Sequence, residues 1–79
     1  MNDRYNPVDC GLHSEYELAI MHHDTLQLTW HDTNGTTRID LLQPTDLCTR
    51  NGAEFLQATG SDGTIHEIRL DRIRGYKKV

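Results

Sequence analysis

From residue 25 to 31 the side chains alternate strictly. Leu26, Leu28 and Trp30 fall on one parity, and Gln27, Thr29 and His31 on the other. A period of two is that of a half-buried β-strand. Three glycine-bearing turn sequences follow at near-regular spacing: Asp32-Thr33-Asn34-Gly35, Asn51-Gly52 and Gly60-Ser61-Asp62-Gly63. Glycine and asparagine tolerate the positive φ that tight hairpins require. The turns delimit further strands. Residues 36–42 read as a second strand with Ile39 and Leu41 inward. Pro44 breaks that run or sits at an edge, so residues 46–50 read as a short third strand. Residues 53–59 make a fourth, with Phe55 or Leu56 inward. Residues 64–70 make a fifth, with Ile68 and Leu70 on one face, and Ile73 continues the apolar line after a bend near Asp71.

Ahead of the strands the pattern is helical. Ser14-Glu15-Tyr16-Glu17 matches a capping box, in which the Ser14 hydroxyl and the Glu17 carboxylate exchange backbone amides. The helix is predicted over residues 14–23, with Leu18, Ala19 and Met21 facing a core. At two to three turns it is marginal alone and must dock. Short antiparallel strands separated by turns form a meander, and strongly curved strands can close into a barrel that has no exposed edge. The predicted fold is mainly β: a small Sm-like antiparallel β-barrel of five to six strands with one N-terminal α-helix over an open end. An OB-like barrel also fits, but a helix preceding every strand favours the Sm-like form. The 79 residues make one domain, divided into an arm (1–13), the helix (14–23), the barrel (25–74) and a tail (75–79).

Several functions are excluded or disfavoured. So small a fold has little volume for an internal catalytic cavity. There is no Gly-x-Ser-x-Gly elbow or phosphate-binding Gly-Lys-Ser/Thr loop, and Glu15 and Glu17 diverge on a helix, so no acid/base pair forms. No enzyme activity and no cofactor are expected. The five histidines and Cys10 lack zinc-ligand spacings, and His22 with His23 suit a helix C-terminus, where positive charge is favoured. No apolar run approaches the roughly 20 residues of a membrane span. Residues 1–7 lack a signal-peptide pattern, so a cytoplasmic location is expected, with Cys10 and Cys48 reduced.

Charge is uneven. Six acids face Arg4 alone in residues 1–34, a balance of −5, while residues 35–79 carry +1. An acidic front half does not suit phosphate binding and suits a basic protein surface better.

The order of features resembles a known family. Tyr5-x-Pro7-x-x-Cys10 opens the chain, Glu17-Leu18-Ala19 and His22-His23 follow, then Asn51-x-x-Glu54-Phe55-Leu56 and Glu67-Ile68-Arg69-Leu70-Asp71-x-Ile73. This resembles the Rof family of Rho-binding antiterminators over nearly the whole chain, although Gly11, Leu12 and Ser14 stand where the family carries acids. The resemblance implies a bacterial, Sm-like inhibitor of termination. It implies that the partner is the transcription termination factor Rho, a hexameric RNA-dependent helicase. The inhibitor would occupy Rho's N-terminal region and block its primary RNA-binding site. An acidic helix can compete for a cationic RNA site by offering carboxylates in place of phosphates. Glu15 and Glu17 are the main candidates, with Asp9 just upstream and Cys10, His13 and Ser14 at the rim. The resemblance places the loop Thr49-Arg50-Asn51-Gly52 beside the helix. The protein is expected to be monomeric when free and not to bind nucleic acid directly.

A second reading is an Sm-like or OB-like single-stranded RNA-binding module. It rests on the basic run Arg69, Arg72, Arg74, Lys77 and Lys78 around Tyr76. Ile73-Arg74-Gly75 is also similar to a short signature of Sm-type barrels.

Overall fold

A computed structural model describes residues 4–79. One helix, α1 (Cys10–His22), precedes five strands: β1 (Leu26–His31), β2 (Thr37–Arg50), β3 (Ala53–Gly60), β4 (Ile65–Arg69) and β5 (Ile73–Lys78). A 3₁₀ turn, Leu70–Arg72, joins the last two. All pairings are antiparallel and the sheet order is β4-β3-β2-β1-β5.

The predicted closure into a barrel is not made, because β4 and β5 form the two ends of the sheet with no ladder between them. They are nevertheless adjacent in sequence. In a flat sheet, four strand spacings of about 4.8 Å would separate them by roughly 19 Å. Three 3₁₀ residues rise only about 6 Å. The sheet must therefore curl strongly to bring its two ends together, stopping short of hydrogen-bonded closure.

The first strand follows its sequence pattern. Leu26, Leu28 and Trp30 are buried. The first hairpin turns on Asp32, whose Oδ1 accepts the backbone N–H groups of Asn34 (2.9 Å) and Thr36 (3.0 Å), with Gly35 at φ 79°. The second turns on Asn51 (φ 52°) and Gly52 (φ 77°), a two-residue connection with both residues left-handed.

Residues 36–42 and 46–50 are not two strands. β2 runs through Pro44 without interruption. Pro44 pairs with Ala58 and Asp46 with Gln57, so Thr45 is an extra residue, a β-bulge. Proline has no N–H to give a ladder, and a bulge accommodates that. The bulge reverses the parity of the strand. Leu42 and Pro44 are inward before it, and Leu47 packs on the core after it. Ile39 and Leu41, expected inside, point outward and are more than half exposed.

Two further bounds differ from expectation. The helix starts at Cys10 and not at Ser14, since Asp9 is the N-cap and accepts the Leu12 N–H at 2.8 Å. Ser14 therefore lies within the helix, and no capping box forms. His23 closes the other end at φ 57°, its N–H directed to the carbonyls of Ala19 and Ile20. Residues 75–79, expected as a tail, mostly belong to β5, which pairs with β1 from Ile73 to Lys78.

The core gathers Tyr16 and Ala19 of the helix with Leu26, Leu28, Trp30, Leu42, Leu56, Ala58, Ile68 and Leu70. Leu18 and Met21, predicted inward, are 45% and 70% exposed. Removing the Leu56 side chain (L56A) should cost about 2–5 kcal/mol, a large part of the ~5–15 kcal/mol available to a small domain. A urea midpoint within error of the parent would refute that placement. Tyr16 is fully buried, and its hydroxyl has no hydrogen-bond partner among the described residues. Its ring meets Tyr76 edge-on at 5.5 Å. Removing an orphaned buried hydroxyl relieves a desolvation cost of about 1 kcal/mol or more, so Tyr16→Phe should raise the urea midpoint.

Candidate partner-binding surface

The beginning of the helix and the second hairpin meet through Glu54, the second residue of β3. Thr49 pairs with Glu54 across β2 and β3, so both lie on the face that the bulge turns toward the helix. The Glu54 carboxylate lies 3.1 Å from Nε2 of His13 and accepts the Tyr5 hydroxyl at 3.0 Å. Burial and this carboxylate together push the Tyr5 phenol up to about 12. On its other side His13 approaches Glu17, with Nδ1 3.7 Å from Oε1. Val8, Cys10, His13, Ser14 and Glu54 line a shallow pocket here. Asp9, Cys10, His13 and Ser14 thus form one cluster with Thr49 beside it, and the exposed Asn51-Gly52 turn ends the same hairpin.

Glu15 and Glu17 lie on the solvent side of the helix, and both are exposed. At about 100° per residue, they border opposite sides of the exposed arc. Between them run Cys10, Gly11, Ser14, Leu18, Met21 and His22, so the exposed Leu18 and Met21 lie between the two carboxylates. Among the described residues neither carboxylate is tied to an arginine, and Glu17 approaches His13. Sequence reasoning missed Leu18 and Met21 as surface residues because it placed them in the core. It missed Glu54 and Tyr5 because nothing local signals a contact across 49 residues.

Arg50 does not join this surface. Its guanidinium binds Glu67 of β4 through two hydrogen bonds (2.8 and 2.5 Å) and lies 4.4 Å over the Phe55 ring. Arg50 and Thr49 are adjacent in a strand and therefore face opposite ways. Gln57 adds a hydrogen bond to Glu67 at 3.3 Å. The Arg50 hydrogen bonds, opposed by partial burial and aided by Gln57, hold Glu67 at about 2. Burial and the Glu67 carboxylate push the nearby Cys48 thiol up, away from reactive thiolate. Among the described residues, no group of three or more His, Cys, Asp or Glu side chains is arranged to hold a metal ion, and no helix is long and apolar enough to cross a membrane.

The Glu67 shift makes a pH prediction. A carboxylate whose folded pKa lies below its unfolded value stabilises the fold above the unfolded value, near 4.3. That contribution is lost as pH falls toward about 2. Stability measured from pH 6 to 2 should therefore fall through this window. In Arg50→Ala the Glu67 carboxyl, followed by NMR, should titrate near its ordinary value. A parent-like titration in the variant would rule out Arg50 as the cause.

No family model matches the sequence. It is 33% identical over 76 residues to "Protein rof" of Escherichia coli (strain K12), covering 96% of this chain and 84% of that protein, and the Shigella flexneri protein of the same name matches equally. Among solved structures, proteasome accessory factor B/C (PafBC) of Arthrobacter aurescens superposes on 96% of the chain with a TM-score of 0.78. At 15% identity that likeness concerns the fold alone, and the chain spans only 12% of that longer protein. With one third of its residues shared over almost its full length with the curated proteins, this chain belongs to the Rof family.

Proposed function

We propose that this protein inhibits Rho-dependent transcription termination by binding the N-terminal region of the Rho hexamer and blocking its primary RNA-binding site. It acts by occupying a surface, in the bacterial cytoplasm, with no catalytic step. The observation that carries this reading is the exposed helix face on which Glu15 and Glu17 bracket Leu18 and Met21. Carboxylates that are not spent on the protein's own arginines are free to engage cationic groups that would otherwise hold phosphate. The apolar residues between them supply the desolvated centre that a protein interface needs. Family membership supports the choice of partner. The helix followed by five strands, with the last returning beside the first, supports reading the curled sheet as an open Sm-like form.

The His13–Glu54–Tyr5 cluster gives the helix its orientation relative to the β2–β3 hairpin. Thr49, Asn51 and Gly52 then add contacts at the edge of the same surface, with Asp9, Cys10 and Ser14 at the start of the helix. Arg50 contributes by holding the hairpin to β4.

At saturating inhibitor, RNA should leave the primary site of Rho, and RNA that stays bound would refute the mechanism. Glu15→Lys with Glu17→Lys should weaken Rho affinity roughly tenfold or more, which is about 1.4 kcal/mol. Since Asp9 caps the helix, this variant keeps its cap and should unfold at the parent's urea concentration. Affinity should also fall as salt is raised, because exposed ion pairs are screened. Unchanged Rho affinity in the double variant would remove the helix from the interface.

A further inference from the structure

One imidazole stands between two carboxylates that belong to different elements. Nε2 of His13 lies 3.1 Å from Oε2 of Glu54 on β3, and Nδ1 lies 3.7 Å from Oε1 of Glu17, one turn further along the helix. The two carboxylates are not held alike. Glu54 also accepts the Tyr5 hydroxyl at 3.0 Å, and its side chain is 32% exposed. Glu17 is 57% exposed, and its 3.7 Å separation is an ion-pair distance too long for a hydrogen bond. Glu54 is therefore anchored by the arm, whereas Glu17 can swing toward the imidazole or away from it.

A neutral imidazole has one N–H donor and one acceptor nitrogen. It can donate to one carboxylate only, and its bare nitrogen then faces the other. The charged form has two N–H donors, one for each. It also brings positive charge to a place where, among the described residues, no lysine or arginine pairs with Glu17 or Glu54. Protonation thus acts twice on the helix face, with the same sign. It cancels part of the negative charge. It also draws Glu17 toward β3, away from Leu18, Met21 and the cations of a partner.

The other titratable groups around His13 are acids and cannot supply that positive charge. On the helix, Cys10 shares its shallow pocket and Asp9 caps the first turn through the Leu12 N–H. From the arm comes Tyr5, whose phenol is pushed up to about 12 by burial and Glu54 and keeps its proton. Glu15 has no histidine at helical spacing, so it serves as the internal comparison.

We propose that His13 is a proton-operated clasp on Glu17, leaving that carboxylate to a cationic partner when neutral and retracting it when charged. The identity of the partner rests on the Rho reading, but the clasp itself does not.

The full chain is titrated by NMR from about pH 8 to about pH 5, the span over which a histidine changes charge. The Glu17 carboxyl should shift with the midpoint of the His13 ring, and the Glu15 carboxyl should not. In His13→Gln that step should vanish. A Glu17 carboxyl that ignores the ring, or keeps its step in His13→Gln, would overturn the clasp. Rho affinity is then measured at about pH 7.5 and about pH 5.5. The parent should weaken on acidification about two- to fivefold more than His13→Gln does, the span a surface ion pair supplies. Glu17→Gln, which breaks the same pair from its exposed end, should lose the same excess. Equal pH dependence in all three chains would overturn the regulatory role. Absence of Rho binding at both pH values would refute the Rho reading instead, with the carboxyl titration still deciding the clasp.

Discussion

The single extra residue at Thr45 decides which side chains this molecule shows to which side. Before it, the even-numbered residues Leu42 and Pro44 point into the core, and after it the odd-numbered residues do. Had β2 kept one parity, Arg50 would lie under the helix and Thr49 outside. The bulge instead puts Thr49 on the same face as its partner Glu54, which Tyr5 and His13 reach. It sends Arg50 to the outer face, where Glu67 and Phe55 receive it. A buried cation without a partner would be costly, so the ordering of the helix side depends on this one insertion in the ladder.

Charge is partitioned by the same architecture. The acidic groups of the helix lie on its outer arc, and the arginines that follow β4 converge on a groove beside the first hairpin. The N-terminal arm spans the two regions. Tyr5 reaches Glu54 on one side and lies under the Arg69 guanidinium, 5.8 Å from its ring centre, while Asn6 binds Asp71. The arm thus ties the helix side of the sheet to the turn between β4 and β5.

Much of this was legible in the sequence, for physical reasons. Leu26, Leu28 and Trp30 alternate over a strand buried on one face, and Asn51-Gly52 can take two consecutive left-handed conformations, so both were readable. Glu15 and Glu17 were readable as an exposed acidic pair because neither has a lysine or arginine at helical spacing. Other features were not legible. Asp9 and Ser14 are both good caps, and only the docking of Leu12, Tyr16 and Ala19 decides for Asp9. Pro44 looked like a break because a bulge cannot be read from one strand without its partner. Gly75, Lys77 and Lys78 carry no apolar alternation, since β5 lies at the edge and contributes little to the core.

The position of β1 has a consequence for how the chain matures. One flank of β1 is covered at once by β2, its neighbour through a short turn. The other flank waits for β5, whose residues come some fifty positions later. During synthesis the backbone groups of Leu26 to Trp30 on that side have no mate until residues 73–78 leave the ribosome. Completion of the sheet therefore waits for β5, and a nascent chain halted near Arg72 would carry a hydrophobic strand with one open edge on display to chaperones.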